Sequence, residues 1–200
     1  MTRLQKQLCW LVVFSIAMGL LETAVVVYLR ELYYPEGFQF PLAPMNVSVF
    51  TTELLREAAT LIMLWGVAYL AGSSAYQRFA FFLIAFAVWD IFYYVFLKVL
   101  LDWPESLLTW DILFLIPTPW VGPVLAPCLA SVTMVLLAIV ILRHHHVQGF
   151  HLNPVEWSLL GIGSLVMLVS WTWDYLVLFG AGIPSPEQSI AFYATYKPQT

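Results

Sequence analysis

Six charged side chains lie within long apolar stretches of this 200-residue chain, in addition to Lys98 near the end of the third stretch. They are Glu22, Glu53, Arg56, Glu57, Asp90 and Asp174. Placing an ionised side chain at the centre of a bilayer costs roughly 2.5–3.5 kcal/mol, so such residues usually face the interior of a helix bundle and have partners. Their types and positions therefore predict a polar site inside a membrane.

The acidic residues of the second apolar stretch have helical spacing. Glu53, Glu57 and Thr60 fall at positions i, i+4 and i+7. They therefore line one stripe of a helix, and Arg56 lies beside that stripe. This pattern predicts that the second helix turns one polar face toward the rest of the protein.

Small and aromatic side chains accompany two of the other carboxylates. Gly19 lies one helical turn before Glu22, and the missing side chain there lets a neighbouring helix approach. Around Asp90, the hydroxyl groups of Tyr93 and Tyr94 can donate hydrogen bonds to a carboxylate. We expect both tyrosines to line the same ligand-binding pocket as the six ionisable residues.

The charge balance of this set indicates what it could bind. Arg56, even with Lys98 at the rim, cannot neutralise five carboxylates, so several are protonated, or the site is wet, or a cation binds there. For a metal, the expected ligands are Glu22, Glu57, Asp90 and Asp174. Oxygen ligands favour hard divalent ions such as Mg²⁺, Ca²⁺ or Mn²⁺, and iron also fits a carboxylate site.

A structural ion-pair network is the alternative interpretation of the same residues. In that network Arg56 bridges carboxylates of the other helices. Glu53 and Glu57 are then simply exposed at the start of their helix, where the helix macrodipole favours acidic side chains.

The amino-acid composition indicates the class of protein, because charged residues are rare in this chain. Hydrophobic residues make up 62% of the chain and charged residues 10%, against about 45–50% and about 25% in soluble domains. The eight basic and twelve acidic residues form no basic cluster, which excludes a nucleic-acid-binding protein. Water-soluble, disordered and disulfide-rich classes are excluded as well, so an integral membrane protein remains.

Five apolar stretches are long enough to cross a bilayer, which takes about 20 residues at about 1.5 Å each. The predicted spans are 8–29, 52–71, 79–101, 124–142 and 157–179. We therefore expect an all-α integral membrane protein: a five-transmembrane-helix bundle that forms a single transmembrane domain over residues 1–200.

The apolar segment 107–116, between the third and fourth spans, is too short to cross and is followed by prolines. It is predicted to be a short interfacial or re-entrant helix. Asp111 would reach the polar site if the segment re-enters the membrane, and would meet water if it lies flat. The prolines and tryptophans around it favour the flat arrangement.

Basic residues near the span ends predict the orientation. If the N-terminus is cytoplasmic, Arg3, Lys6, Arg78 and Arg143 lie inside, four basic residues against three outside. The predicted topology in the plasma (inner) membrane is therefore N-terminus in and C-terminus out. With this topology all six ionisable residues of the apolar stretches fall in the outer half of the membrane.

Four histidines follow the fourth span: His144, His145, His146 and His151. Imidazoles so close in sequence could bind a transition metal or sense pH. Three consecutive side chains cannot all converge from a regular helix, however. We therefore expect a solvated helix end, where the dipole favours positive charge.

Three functions fit these residues. The first is an outward-facing pocket, rich in carboxylates, that binds a cation, a metal or an amine-bearing small molecule for transport, sensing or cofactor binding. The second is a structural or assembly subunit of a larger membrane complex. The third is an intramembrane enzyme acting on a lipid-type substrate, with two carboxylates as acid and base. Expected partners are the lipid bilayer and other membrane subunits or further copies of the chain in a homo-oligomer, but no nucleic acid.

Overall fold

A computed structural model describes residues 1–144, 153–180 and 182–198. Within these ranges the helices and strands are α1 (Arg3–Tyr33), α2 (Val47–Ala71), α3 (Ala75–Leu101), β1 (Trp110–Phe114), β2 (Trp120–Pro123), α4 (Leu125–His144), α5 (Pro154–Phe179) and α6 (Pro186–Thr195). Three of the four histidines considered above, His145, His146 and His151, lie outside the described residues.

Among the described residues, the five helices α1 to α5 are long and apolar enough to cross a membrane. The prediction of five long apolar helices is confirmed, and the chain has the character of an integral membrane protein. Helices α1, α3 and α5 begin earlier than the predicted apolar runs because polar residues cap them. Thr2 and Asn153 form capping boxes at α1 and α5, and Ser74 caps α3.

The chain forms two compact units, each of which is considered separately. Unit 1 comprises Met1–Gly37, Ala58–Thr109 and Pro123–Gln148. Unit 2 comprises Phe38–Glu57, Trp110–Gly122 and Gly149–Thr200. Helix α2 begins in unit 2 and ends in unit 1.

In unit 1, helix α3 packs against both α1 and α4. The contact with α1 is close because Gly19 faces the backbone of α3: a Cβ atom added there would lie 3.0 Å from the carbonyl oxygen of Trp89. Beside it, the Thr23 hydroxyl donates to the Tyr93 carbonyl oxygen at 3.1 Å. The prediction that Gly19 admits a neighbouring helix is confirmed.

In unit 2, helix α6 packs through aromatic side chains. The ring of Phe192 lies 5.5 Å from that of Tyr175 in α5 and 5.0 Å from that of Tyr196. The backbone N–H of Leu42 donates to the carbonyl oxygen of Tyr193 at 2.9 Å, which joins the segment before α2 to α6. These contacts bury one face of a helix that is only ten residues long.

The prediction of a short helix over 107–116 is wrong. The segment contains strand β1, which pairs with β2 in a two-stranded sheet. The connection between them is too short for a parallel crossover, so the strands form a hairpin. A short apolar run bounded by turn residues fits a strand as well as a buried helix segment, and the prolines after it favour a turn.

Candidate functional site

The polar stripe of α2 is buried as its spacing predicts. The exposed fraction is 8% for Glu53, 6% for Glu57 and 2% for Thr60. The alternative in which Glu53 and Glu57 are simply exposed at the helix start is therefore wrong. A buried carboxylate needs partners, because burial disfavours the charged form unless hydrogen bonds or opposite charges stabilise it.

Glu53 has a charged partner on its own helix. The Arg56 Nε atom donates to Glu53 Oε2 at 2.8 Å, and the Arg56 side chain is partly exposed. Since the two residues are separated by one helical turn, the contact is local and orders the first turns of α2.

Glu57 is held by the hairpin. Both of its carboxylate oxygens accept from the backbone N–H of Leu115, at 3.0 and 3.1 Å. A backbone N–H group that follows a strand and is not hydrogen-bonded within the sheet can donate to a side-chain carboxylate. The contact fixes α2 to the end of β1 inside unit 2.

Asp111 lies on the hairpin and is buried, with only 3% of the residue exposed. The expectation that its carboxylate meets water is therefore wrong. Strand β1 replaces the expected flat helix, and within this strand Asp111 is buried while the other four residues are half-buried. Unit 2 thus holds a buried acidic residue from β1 in addition to those of α2.

Tyr193 on α6 was not identified from the sequence. Its hydroxyl is buried and has no hydrogen-bond partner among the described residues. Burial raises the pKa of Tyr193 well above its usual value, and the negative charges of Glu57 and Asp111 raise it further. The hydroxyl therefore lies within the electrostatic influence of both carboxylates, and we call these three residues the Glu57–Asp111–Tyr193 group.

A second carboxylate–tyrosine contact in unit 2 involves Asp174 near the end of α5. The Tyr196 hydroxyl donates to Asp174 Oδ2 at 2.7 Å. The pKa of Tyr196 is raised by burial first, then by this hydrogen bond and by the Asp174 charge. Asp174 is therefore tied to the residue that follows α6.

Unit 1 contains the other two predicted carboxylates, and the contacts shown for them are with hydroxyl groups. Thr60 Oγ1 donates to Glu22 Oε2 at 3.4 Å, a long hydrogen bond. Ser131 Oγ on α4 donates to Asp90 Oδ2 on α3 at 2.8 Å. The Asp90–Ser131 contact joins two helices in the apolar part of the unit.

The two tyrosines that follow Asp90 pack against each other, with ring centroids 4.9 Å apart. Tyr94 is buried in a cluster with Leu97 of α3 and Val124. The carbonyl oxygen of Tyr93 accepts from Thr23, as described above. That their hydroxyl groups bind a ligand stays a prediction.

Each predicted carboxylate has a hydrogen-bond partner, and the Glu53–Arg56 pair joins two predicted site residues, whereas the other partners named below were not predicted as site residues. Within unit 1 the pairs are Glu22 with Thr60 and Asp90 with Ser131. Within unit 2 they are Glu53 with Arg56, Glu57 with Leu115 and Asp174 with Tyr196. Convergence of all the predicted carboxylates in one layer stays a prediction.

The part of the chain that the structure describes contains no group of three or more His, Cys, Asp or Glu residues placed to hold a metal ion. The fold defines a mostly helical protein with the character of an integral membrane protein and with buried carboxylates. Comparison with known protein families, curated proteins and solved structures finds no match to this chain.

Proposed function

We propose that this membrane protein binds a small cation, above all an amine-bearing molecule, at the Glu57–Asp111–Tyr193 group. The observation that carries the proposal is the buried Tyr193 hydroxyl without a hydrogen-bond partner among the described residues. Leaving such a group unsatisfied costs about 1–3 kcal/mol. A ligand that hydrogen-bonds to the hydroxyl removes this cost.

The chemistry of the group favours a cationic donor. An ammonium group has three N–H donors and one positive charge. The lone pairs of Glu57, Asp111 and Tyr193 are acceptors of the matching kind, and the two carboxylates supply the opposite charge. A hard metal ion also prefers oxygen ligands, so divalent ions and iron belong in the same test.

The proposal also includes the other ligand-binding residues predicted from the sequence, because the negative potential of their carboxylates would attract cations. With the N-terminus inside, this potential is directed to the outer side of the plasma membrane. The further members of the set are Glu22, Glu53, Arg56, Asp90, Tyr93, Tyr94 and Asp174.

A melting series in detergent tests the proposal. Ethylammonium, Mg²⁺, Ca²⁺, Mn²⁺ and Fe²⁺ are titrated against the wild type at constant ionic strength held with Na⁺. A true ligand at 100 times its Kd stabilises the folded state by about 2.7 kcal/mol. We expect a saturable rise in Tm with one of these probes.

Two tyrosine variants make the test specific. Tyr193→Phe removes the unsatisfied hydroxyl, so without ligand it is at least as stable as the wild type, whereas its affinity for the ligand falls about tenfold or more. Tyr28→Phe is the matched control, because Tyr28 is exposed on α1. Identical ligand responses in wild type and Tyr193→Phe would contradict the proposal and favour the complex-subunit alternative.

The wider set is tested by Asp90→Asn and Asp174→Asn in the same series. If these carboxylates contribute to cation binding, both variants lose part of the ligand-dependent rise in Tm while their stability without ligand is kept. Unchanged ligand responses would confine the site to the Glu57–Asp111–Tyr193 group.

A further inference from the structure

Unit 1 contains a cavity of about 420 Å³ between the start of α1 and the end of α2, and none of its lining residues is acidic. Its lining residues are Arg3, Lys6, Gln7, Trp10, Leu11, Val67 and Ala71. A volume of this size lies within the range of about 300–1,000 Å³ that is usual for small-molecule sites.

The α1 wall of the cavity follows from helical spacing. Arg3, Lys6, Gln7 and Trp10 fall at i, i+3, i+4 and i+7, so they form one face of α1. The helix begins at Arg3 because the Thr2 side chain and Gln5 form a capping box. The two basic side chains are thereby placed on the first turn of an ordered helix.

The two helices are joined next to the cavity by one hydrogen bond. Gln7 Nε2 donates to the carbonyl oxygen of Ala71 at 2.7 Å. Ala71 is the last residue of α2, where helical carbonyl groups lack intrahelical donors, so this contact satisfies one of them. This hydrogen bond therefore holds the two helices together beside the cavity.

The charge of the cavity is positive. Arg3 and Lys6 are exposed, and the stretches 1–21 and 58–89 of unit 1 contain no acidic residue. A third cation, Arg78, donates to the Gly72 carbonyl oxygen at 3.1 Å and stacks over the ring of Tyr69. The end of unit 1 that holds the cavity therefore attracts anions.

The polarity of the wall changes within one to two helical turns. Beyond Arg3 and Lys6 the lining is Trp10, Leu11 and Val67, and 73% of Trp10 is exposed. An exposed indole is typical of the boundary between head groups and hydrocarbon. A cationic rim next to an apolar wall is complementary to a phospholipid, whose anionic phosphate is followed by apolar acyl chains.

We propose that this cavity binds an anionic phospholipid, with its phosphate at Arg3 and Lys6 and an acyl chain along Trp10, Leu11 and Val67. Basic pockets between transmembrane helices on the cytoplasmic side are known to hold anionic head groups. The site is independent of the proposed cation site and lies in the other unit. It would give the protein a resident lipid in the leaflet that faces its N-terminus.

Lipid titration of the detergent-purified protein tests this proposal. Phosphatidylglycerol and phosphatidylcholine are added separately, and bound lipid is counted by native mass spectrometry. Since Arg3 and Lys6 are exposed, Arg3→Gln and Lys6→Gln leave the fold intact. Each lost cation weakens phosphatidylglycerol binding about fivefold, and the double variant weakens it about 30-fold.

Two controls separate the site from general charge attraction. Arg143→Gln removes an exposed basic residue at the end of α4 that does not line the cavity, and it keeps the wild-type affinity. Phosphatidylglycerol with brominated chains quenches the fluorescence of Trp10, measured as the difference between wild type and Trp10→Phe. Phosphatidylcholine binds more weakly than phosphatidylglycerol to the wild type and to Arg143→Gln, and this difference shrinks in the Arg3→Gln/Lys6→Gln double variant.

Four results would overturn the proposal. One is equal affinity for the two lipids, and another is an equal loss of affinity in Arg143→Gln and Arg3→Gln. The third is displacement of phosphatidylglycerol by millimolar inorganic phosphate, which would identify a site for free phosphate. Absence of Trp10-dependent quenching would likewise remove the acyl chain from the cavity.

Discussion

Substituting Gly19 by alanine tests the α1–α3 contact most directly. A Cβ atom at this position would lie 3.0 Å from the Trp89 carbonyl oxygen, and 3.2 Å from both the Phe92 Cβ and the Tyr93 backbone nitrogen. Carbon prefers separations of about 3.5–4.0 Å from other heavy atoms. Two of the three atoms belong to the backbone of α3, so relief of these contacts requires the two helices to separate.

The expected free-energy change has three parts. Overpacking of this kind costs about 1–3 kcal/mol. Separation of the helices also lengthens the Thr23–Tyr93 hydrogen bond from 3.1 Å, and such bonds contribute about 0.6 kcal/mol in membrane proteins. Alanine gains about 0.8–1.0 kcal/mol over glycine in helix propensity. Gly19→Ala should therefore destabilise the protein by about 0.6–2.8 kcal/mol.

Gly66 supplies a matched control on α2. A Cβ atom added there meets no other atom within 4 Å, so Gly66→Ala gains helix propensity without a steric cost. The difference between the two variants cancels the propensity gain and leaves about 1.5–3.5 kcal/mol.

Denaturation by sodium dodecyl sulfate in mixed micelles measures the free energy of unfolding of both variants. Helix content by circular dichroism checks that both are folded at the start. Equal stability of Gly19→Ala and Gly66→Ala would refute the close approach of α1 and α3.

Three further predictions concern single contacts and topology. Ser131→Ala removes the hydrogen bond to Asp90 and should lower the free energy of unfolding by about 0.6–1.7 kcal/mol in the same micelle assay; no change would mean that the bond is not stabilising. Because the fold raises the pKa of Tyr196, the folded state keeps a proton that the unfolded chain loses near pH 10, so stability falls as pH rises above about 10. Between pH 8 and 11 the free energy of unfolding should fall less steeply in Tyr196→Phe than in the wild type. Parallel curves for the two proteins would contradict this prediction. A reporter fused after Lys197 should be found outside the cytoplasm, whereas a cytoplasmic reporter would invert the predicted orientation.

The parts of the fold that depend on local pattern could be predicted from the sequence. Runs of about 20 apolar residues identify long helices because hydrocarbon thickness sets the length. The buried stripe of Glu53, Glu57 and Thr60 and the helix contact at Gly19 follow equally from helical geometry. In each case the signal lies within one helix.

The hairpin and the buried Asp111 depend on contacts between distant segments. Nothing in residues 107–116 alone distinguishes a strand from a short helix, since strand β1 is defined by its pairing with β2. The burial of Tyr193 depends in the same way on the packing of α6. A signal for α6 does exist: Ser189, Phe192, Tyr193 and Tyr196 fall at i, i+3, i+4 and i+7, and all four are buried.

The length of α4 constrains the bilayer that suits this protein. Its 20 residues extend about 30 Å, the thickness of an average hydrocarbon layer, whereas the 31 residues of α1 extend about 46 Å. The apolar part of α4 cannot be extended, because Pro123 and the bond from the Leu125 N–H to the Leu107 carbonyl oxygen at 2.7 Å fix its start and the basic residue Arg143 follows Leu142. A thicker bilayer therefore creates hydrophobic mismatch at α4 first, and membranes of average or smaller thickness accommodate the chain with the least deformation.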